Sequence, residues 1–147
     1  GAFKEEIIRE MARHVTHPVI FPLSNPTDNS EAHPLDLLHW TEGKALIATG
    51  SPCETLVFQH KTIRIAQCNN ALSFPGIGLG MVASKAKKLT DNMLWAASVA
   101  LSELSPCQDN LDEPLLPMFK DLRKVALHIA QKVAKQAVED QVASVTA

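Results

Sequence analysis

The stretch Pro18-Val19-Ile20-Phe21-Pro22-Leu23-Ser24-Asn25-Pro26-Thr27 decides the fold. Its apolar run stops abruptly at Ser24-Asn25-Pro26. A buried strand delivers a polar side chain in this way to the carboxyl-terminal edge of a parallel sheet, the edge where open α/β sheets bind ligands. Pro22 removes one ladder donor, so a strand over residues 19–23 is expected to be irregular or to lie at an edge. Upstream, residues 2–14 place Phe3, Ile7, Ile8 and Met11 on one helical face, and His17-Pro18 ends that helix. Downstream, Ser30-Glu31-Ala32 and residues 34–40 fit a capped helix, and residues 44–50 form a second short strand ending at Gly50-Ser51-Pro52. The order helix, strand, helix, strand predicts an α/β fold with parallel strands and crossover helices.

Residues 56–58 and 62–65, separated by Gln59-His60-Lys61, read as a small hairpin leading into Gln67-Cys68-Asn69-Asn70-Ala71-Leu72-Ser73-Phe74-Pro75-Gly76. A helix over 77–86 follows, beside Gly76, Gly78 and Gly80. Each glycine costs up to ~1 kcal/mol of helix propensity, and the return is close approach of another backbone. Thr90-Asp91-Asn92 caps a further helix through residue 104, with Met93, Ala96, Ala97 and Ala100 as its small-residue face. Residues 105–117 carry prolines and acids and read as a loop. Leu122, Val125, Ala126, Ile129 and Val133 then mark a long amphipathic helix to about residue 142, with the last residues expected to fray.

The 147 residues suffice for a single core. An apolar fraction of 46%, a charged fraction of 20% and a net charge of −2 are ordinary for a globular domain. They supply no electrostatic basis for a nucleic-acid or membrane partner. No long uncharged apolar run suggests a membrane span or a signal peptide. Cys53, Cys68 and Cys107 stand far apart without a Cys-x-x-Cys pair, which fits reduced thiols and a cytoplasmic location.

Asparagine offers two amide donors and one acceptor without charge, so at a strand end it can bind a carboxylate or a carboxamide without a pKa cost. Asn25 and Asn69 or Asn70 suit that task. The plain alternative is that Asn25-Pro26 is a turn and that Asn69-Asn70 caps the helix after it. Cys68 has no histidine partner nearby in sequence, so a catalytic thiol is not expected. The six histidines show no metal-ligand spacing and read as solvated.

Together these motifs make the chain resemble the carboxyl-terminal part of a malic enzyme or its close relative, malolactic enzyme. The resemblance runs end to end. It rests on Leu23-Ser24-Asn25-Pro26-Thr27, Trp40-Thr41-Glu42-Gly43-Lys44-Ala45, Ala48-Thr49-Gly50-Ser51-Pro52, and above all Asn69-Asn70-Ala71-Leu72 with Phe74-Pro75-Gly76-Ile77-Gly78-Leu79-Gly80. Leu115-Leu116-Pro117 and Leu122-Arg123-Lys124-Val125 resemble the family's terminal segment. Cys53 after Gly50-Ser51-Pro52, and Ala66-Gln67-Cys68, depart from the common pattern and bear on local loop geometry.

The resemblance implies the carboxyl-terminal part of a Rossmann-like NAD(P)-binding domain over residues 1–105, followed by a carboxyl-terminal helical segment over 106–147. It implies an enzyme that oxidises L-malate with NAD, NADP being the alternative, and then decarboxylates it. In that scheme Asn25, Asn69 and Asn70 bind substrate, and Ser24, Asn25 and Asn69 contact the cofactor. The family's catalytic acid–base pair, its Mn2+ or Mg2+ ligands and its Gly-x-Gly-x-x-Gly loop lie upstream of the matched region. The spacing of Gly76-Ile77-Gly78-Leu79-Gly80 does not supply that loop. The chain is therefore expected to be a piece of a longer, homo-oligomeric enzyme, inactive alone, yielding either pyruvate or L-lactate. The competing reading is a non-catalytic ligand-binding or oligomerisation module.

Overall fold

A computed structural model describes residues 1–144, which form two compact units. The first comprises Gly1–Cys68 with Pro106–Leu116; the second comprises Asn69–Ser105 and the chain from Pro117 onward. The fraying expected of the last residues concerns 145–147, outside the described residues.

In the first unit, helix α1 (Glu5–His14) carries Glu5 and Glu6 in its first turn and Arg13 and His14 in its last, the polarity a helix dipole favours. Only Ile8 of its apolar face is buried; Ile7 and Met11 are exposed, so the buried stripe is narrower than the sequence pattern suggests. Strand β1 is just Val19–Ile20. Pro22 ends the regular ladder as its missing N–H requires, yet its carbonyl still accepts the Gly50 N–H at 3.0 Å. Helix α2 (Pro34–Trp40) is capped by His33, whose Nδ1 accepts the Leu35 N–H at 3.2 Å; Ser30 and Glu31, expected there, are not its cap.

Strand β2 (Leu46–Thr49) runs parallel to β1, with Val19 opposite Leu46 and Ile20 opposite Ile47. Strands β3 (Leu56–Phe58) and β4 (Lys61–Ile63) form the expected hairpin, but its loop is only Gln59-His60. Both loop residues have positive φ, 49° and 65°, which matches the twist of a two-residue hairpin turn. A third parallel strand, β5 (Ala66–Gln67), pairs with β2 through Ala48–Ala66 and Thr49–Gln67, giving the order β1-β2-β5. Ile8, Ile20, Leu37, Leu38, Ile47 and Phe58 are core members in this unit. Residues Pro106–Leu116 attach to it by ion pairs Lys61–Asp112 (3.2 Å) and Arg64–Glu113 (2.6 Å).

The second unit is helical: α3 (Phe74–Ser84), α4 (Asp91–Ser102) and α5 (Leu122–Glu139). Its core joins Met93, Ala97 and Ala100 of α4 to Val125, Ile129 and Val133 of α5. Gly76 and Gly80, one helical turn apart, are where α3 meets α5. A Cβ on Gly76 would lie 2.6 Å from Ile129 Cβ, and one on Gly80 would lie 2.8 Å from the Ala130 carbonyl oxygen. Gly78 faces open space, so the close-approach reading holds for two glycines of the three. Thr90 caps α4, accepting the Met93 N–H at 3.2 Å, and donates its hydroxyl to Asp140.

Candidate functional site

The carboxyl ends of β1 and β2 form a braced edge. Gly50 is the brace: a Cβ there would fall inside the Leu23 backbone, so only glycine lets the two strand ends come this close. The buried Thr49 hydroxyl donates to the Ser51 carbonyl at 2.8 Å, and Gln67 Nε2 donates to the Gly50 carbonyl at 3.0 Å. Ser51 is thereby held across from Asn25, and its hydroxyl donates to Asn25 Oδ1. The Asn25–Pro26 peptide is cis.

Beside Asn25, Ser24 is tied to Glu31. Its hydroxyl donates to Glu31 Oε1 at 2.6 Å and its N–H to Oε2 at 3.1 Å. The Ser24 hydroxyl is the chief reason the Glu31 carboxyl sits below the usual carboxylate range. A cavity of about 170 Å3 opens at this edge, lined by Pro22, Ser24, Thr49, Ser51 and Cys53 among others. Ligand pockets usually hold ~300–1,000 Å3, so this cavity fits a small acid or one end of a larger ligand. A larger cavity, about 310 Å3, lies at the opposite, amino-terminal side of β2 between Lys44, Lys61, Arg64, Asp112 and Glu113. Its cations are already paired with carboxylates, and it is on the wrong edge for a strand-end site.

The structure brings Ser24 and Asn25 together with Ser51 and Glu31. Asn69 and Asn70 belong to the second unit, after β5 in the chain. There Asn69 Oδ1 accepts the Ala71 N–H at 2.9 Å and opens a short 3-10 turn, Asn70–Leu72. Both the capping role and an exposed amide therefore coexist at Asn69. In Asn25 and Asn69 alike, the side-chain oxygen is engaged within the chain, and among the described residues the Nδ2 group has no partner. The Asn70 side chain is exposed and likewise without a partner among the described residues. Each of these amides has its donors available, the polarity that suits a carboxylate or a carbonyl oxygen.

Ser51 and Glu31 are the residues that sequence reasoning did not single out. Ser51 stood inside the strand-end motif but carried no assigned role, and Glu31 resembled an ordinary helix-start acid. Burial pushes the Cys53 and Cys68 thiols up, which disfavours the thiolate a nucleophile needs. The histidines are more engaged than expected: His33 caps α2, His39 meets Phe58 edge-on at 5.0 Å, and His128 contacts Glu103 at 2.7 Å. Among the described residues no cluster of three His, Cys, Asp or Glu side chains could hold a metal ion, and no helix is long and apolar enough to cross a membrane.

Parallel strands flanked by helices, with polar side chains at the carboxyl edge, define a Rossmann-like α/β domain. Comparison with known proteins narrows this. The family model described as "Malic enzyme, NAD binding domain" matches residues 1–138, and the chain belongs to that family. It is 52% identical over 146 residues to an NAD-dependent malic enzyme of Proteus mirabilis, covering 99% of this chain and 26% of that protein. Among solved structures, the malic enzyme of Entamoeba histolytica superposes with a TM-score of 0.76 at 31% identity, covering 99% of this chain and 26% of the other. That of Pyrococcus horikoshii gives 0.74 at 27% identity, covering 100% and 29%. The chain thus spans about a quarter of the length of the relatives it matches.

Proposed function

We propose that this chain works as part of an NAD-dependent malic enzyme, in which Asn25, Asn69 and Asn70 contact L-malate and Ser24, Asn25 and Asn69 contact the cofactor. The observation that carries this reading is the Asn25 amide at the carboxyl edge, with its oxygen engaged by Ser51 and its donors open. A neutral donor pair can hold the carboxylate that survives the reaction without adding charge where charge must develop. NAD, when bound, supplies the hydride acceptor. The donor set here fits a carboxylate or a carboxamide. On this reading, pyrophosphate and divalent-metal binding belong to the rest of a longer, homo-oligomeric polypeptide. Residues 1–105 would complete its NAD-binding domain and 106–147 its terminal helices.

The chain's relatives in Proteus mirabilis and Shewanella sediminis are NAD-dependent malic enzymes, which favours the oxidative reaction over the malolactic one. The test is to supply the complete enzyme with L-malate, NAD and Mn2+ and to quantify pyruvate, L-lactate and NADH together. Pyruvate with equal NADH is expected. Lactate without NADH would establish the malolactic reaction, and neither product would remove the enzymatic reading. The isolated chain is expected to turn over nothing.

A further inference from the structure

We infer that Ser51 is a positioning residue: by donating its hydroxyl to Asn25 Oδ1 it holds the Asn25 amide in one of two orientations and makes that side chain a donor-only contact. The inference rests on the proposed role of Asn25. Asparagine is nearly symmetric in shape, and rotating its amide by half a turn exchanges donors for an acceptor. An amide free to rotate would present Oδ1 to an incoming carboxylate part of the time, and that orientation repels it. Ser51 pairs with the donor-out orientation by giving its hydroxyl proton to Oδ1, whereas the flipped amide would spend one of its two donors on the serine oxygen and turn Oδ1 towards the ligand. Ser51 is itself fixed. Its carbonyl accepts from the buried Thr49 hydroxyl, and Gly50 before it is locked against Leu23 by the Pro22 carbonyl. The result is a relay of fixed groups running from the end of β2 to the ligand-facing amide at the end of β1.

The effect has a bounded size. Losing the orientation bias lowers the binding-competent fraction and discards no contact, so with two orientations equally populated Ser51→Ala is expected to reduce kcat/KM for L-malate about twofold. Asn25→Ala, which deletes the contact, is expected to cost about tenfold to a hundredfold or more. The double variant should be no worse than Asn25→Ala alone, because Ser51 acts only through Asn25. Ser51→Thr, which keeps the hydroxyl, should recover most of the activity. A purely structural serine would instead add its cost to that of Asn25→Ala.

A second readout does not depend on turnover. The 15N relaxation of the Asn25 side-chain amide, measured on the 147-residue chain, should report an ordered group in the wild type and in Ser51→Thr and a mobile one in Ser51→Ala. Unchanged order in Ser51→Ala, or additive losses in the complete enzyme's double variant, would overturn the inference. Full activity in Asn25→Ala would instead remove the proposed role of Asn25, while the relaxation comparison would still decide whether Ser51 orders the amide.

Discussion

Gly76 lies against Ile129 so closely that a Cβ added to it would come within 2.6 Å of the isoleucine Cβ and 2.9 Å of the Ala126 carbonyl oxygen. Backbone and a β-branched carbon cannot swing aside. Gly76→Ala should therefore destabilise the helical unit by about 1–3 kcal/mol through overpacking, despite the better helix propensity of alanine. Gly78, two residues on, has nothing within 4 Å, so Gly78→Ala should stabilise by about 0.5–1 kcal/mol. Denaturant midpoints of the two variants should move in opposite directions.

Acid should weaken the fold with a definite sign. The Thr90 hydroxyl, then Asn92 and Gln136, hold the Asp140 carboxyl below its ordinary value of 3.8. Lys132 and His128 do the same for Glu103, and Ser24 for Glu31, relative to 4.5. A depressed folded-state pKa contributes stability that is present above the unfolded value and is lost as pH falls through the folded one. Unfolding midpoints should therefore be flat near neutrality and fall below about pH 4–5. Asp140→Asn should shallow that acid limb. A fold equally stable at pH 3 and pH 7 would contradict these assignments.

The thiols should be sluggish. Burial raises Cys53 and Cys68 above the ordinary thiol value of 9.0, so alkylation by iodoacetamide near pH 8 should be slow and should quicken only at higher pH. Cys68→Ser in the complete enzyme should retain activity. Rapid labelling of Cys68 with concurrent loss of turnover would reopen a catalytic role for it.

Helix types and approximate positions were legible because their signals are local: the period of α5, the Thr90 cap of α4, the proline and histidine before β1. The two-residue strand β5 was not. Ala66-Gln67 has neither the length nor the alternation of a strand, and it becomes one only because Thr49 lies opposite it and accepts the Cys68 N–H at 2.8 Å. The Ser24–Glu31 and Ser51–Asn25 contacts were hidden for a related reason. Sequence motifs mark residues that face a ligand, whereas the partners that orient them come from elsewhere in the chain. Glu31 looked like a helix start because short-range capping statistics cannot see a serine seven residues back at the end of a strand.

Asn69 allows structure and function to be separated in one side chain. Its Oδ1 caps the Ala71 N–H, and its Nδ2 donors are the part proposed to meet the ligand. Asn69→Ser keeps a short oxygen acceptor for the cap and discards the amide donors, whereas Asn69→Ala discards both. The serine variant should hold stability to within a few tenths of a kcal/mol, and the alanine variant should lose about 0.5–2 kcal/mol. Both should lose about tenfold or more in kcat/KM in the complete enzyme, as expected when a hydrogen bond to a charged group is removed. A serine variant that is stable and fully active would show that Asn69 is there for the turn alone, leaving Asn70 as the remaining candidate of the pair.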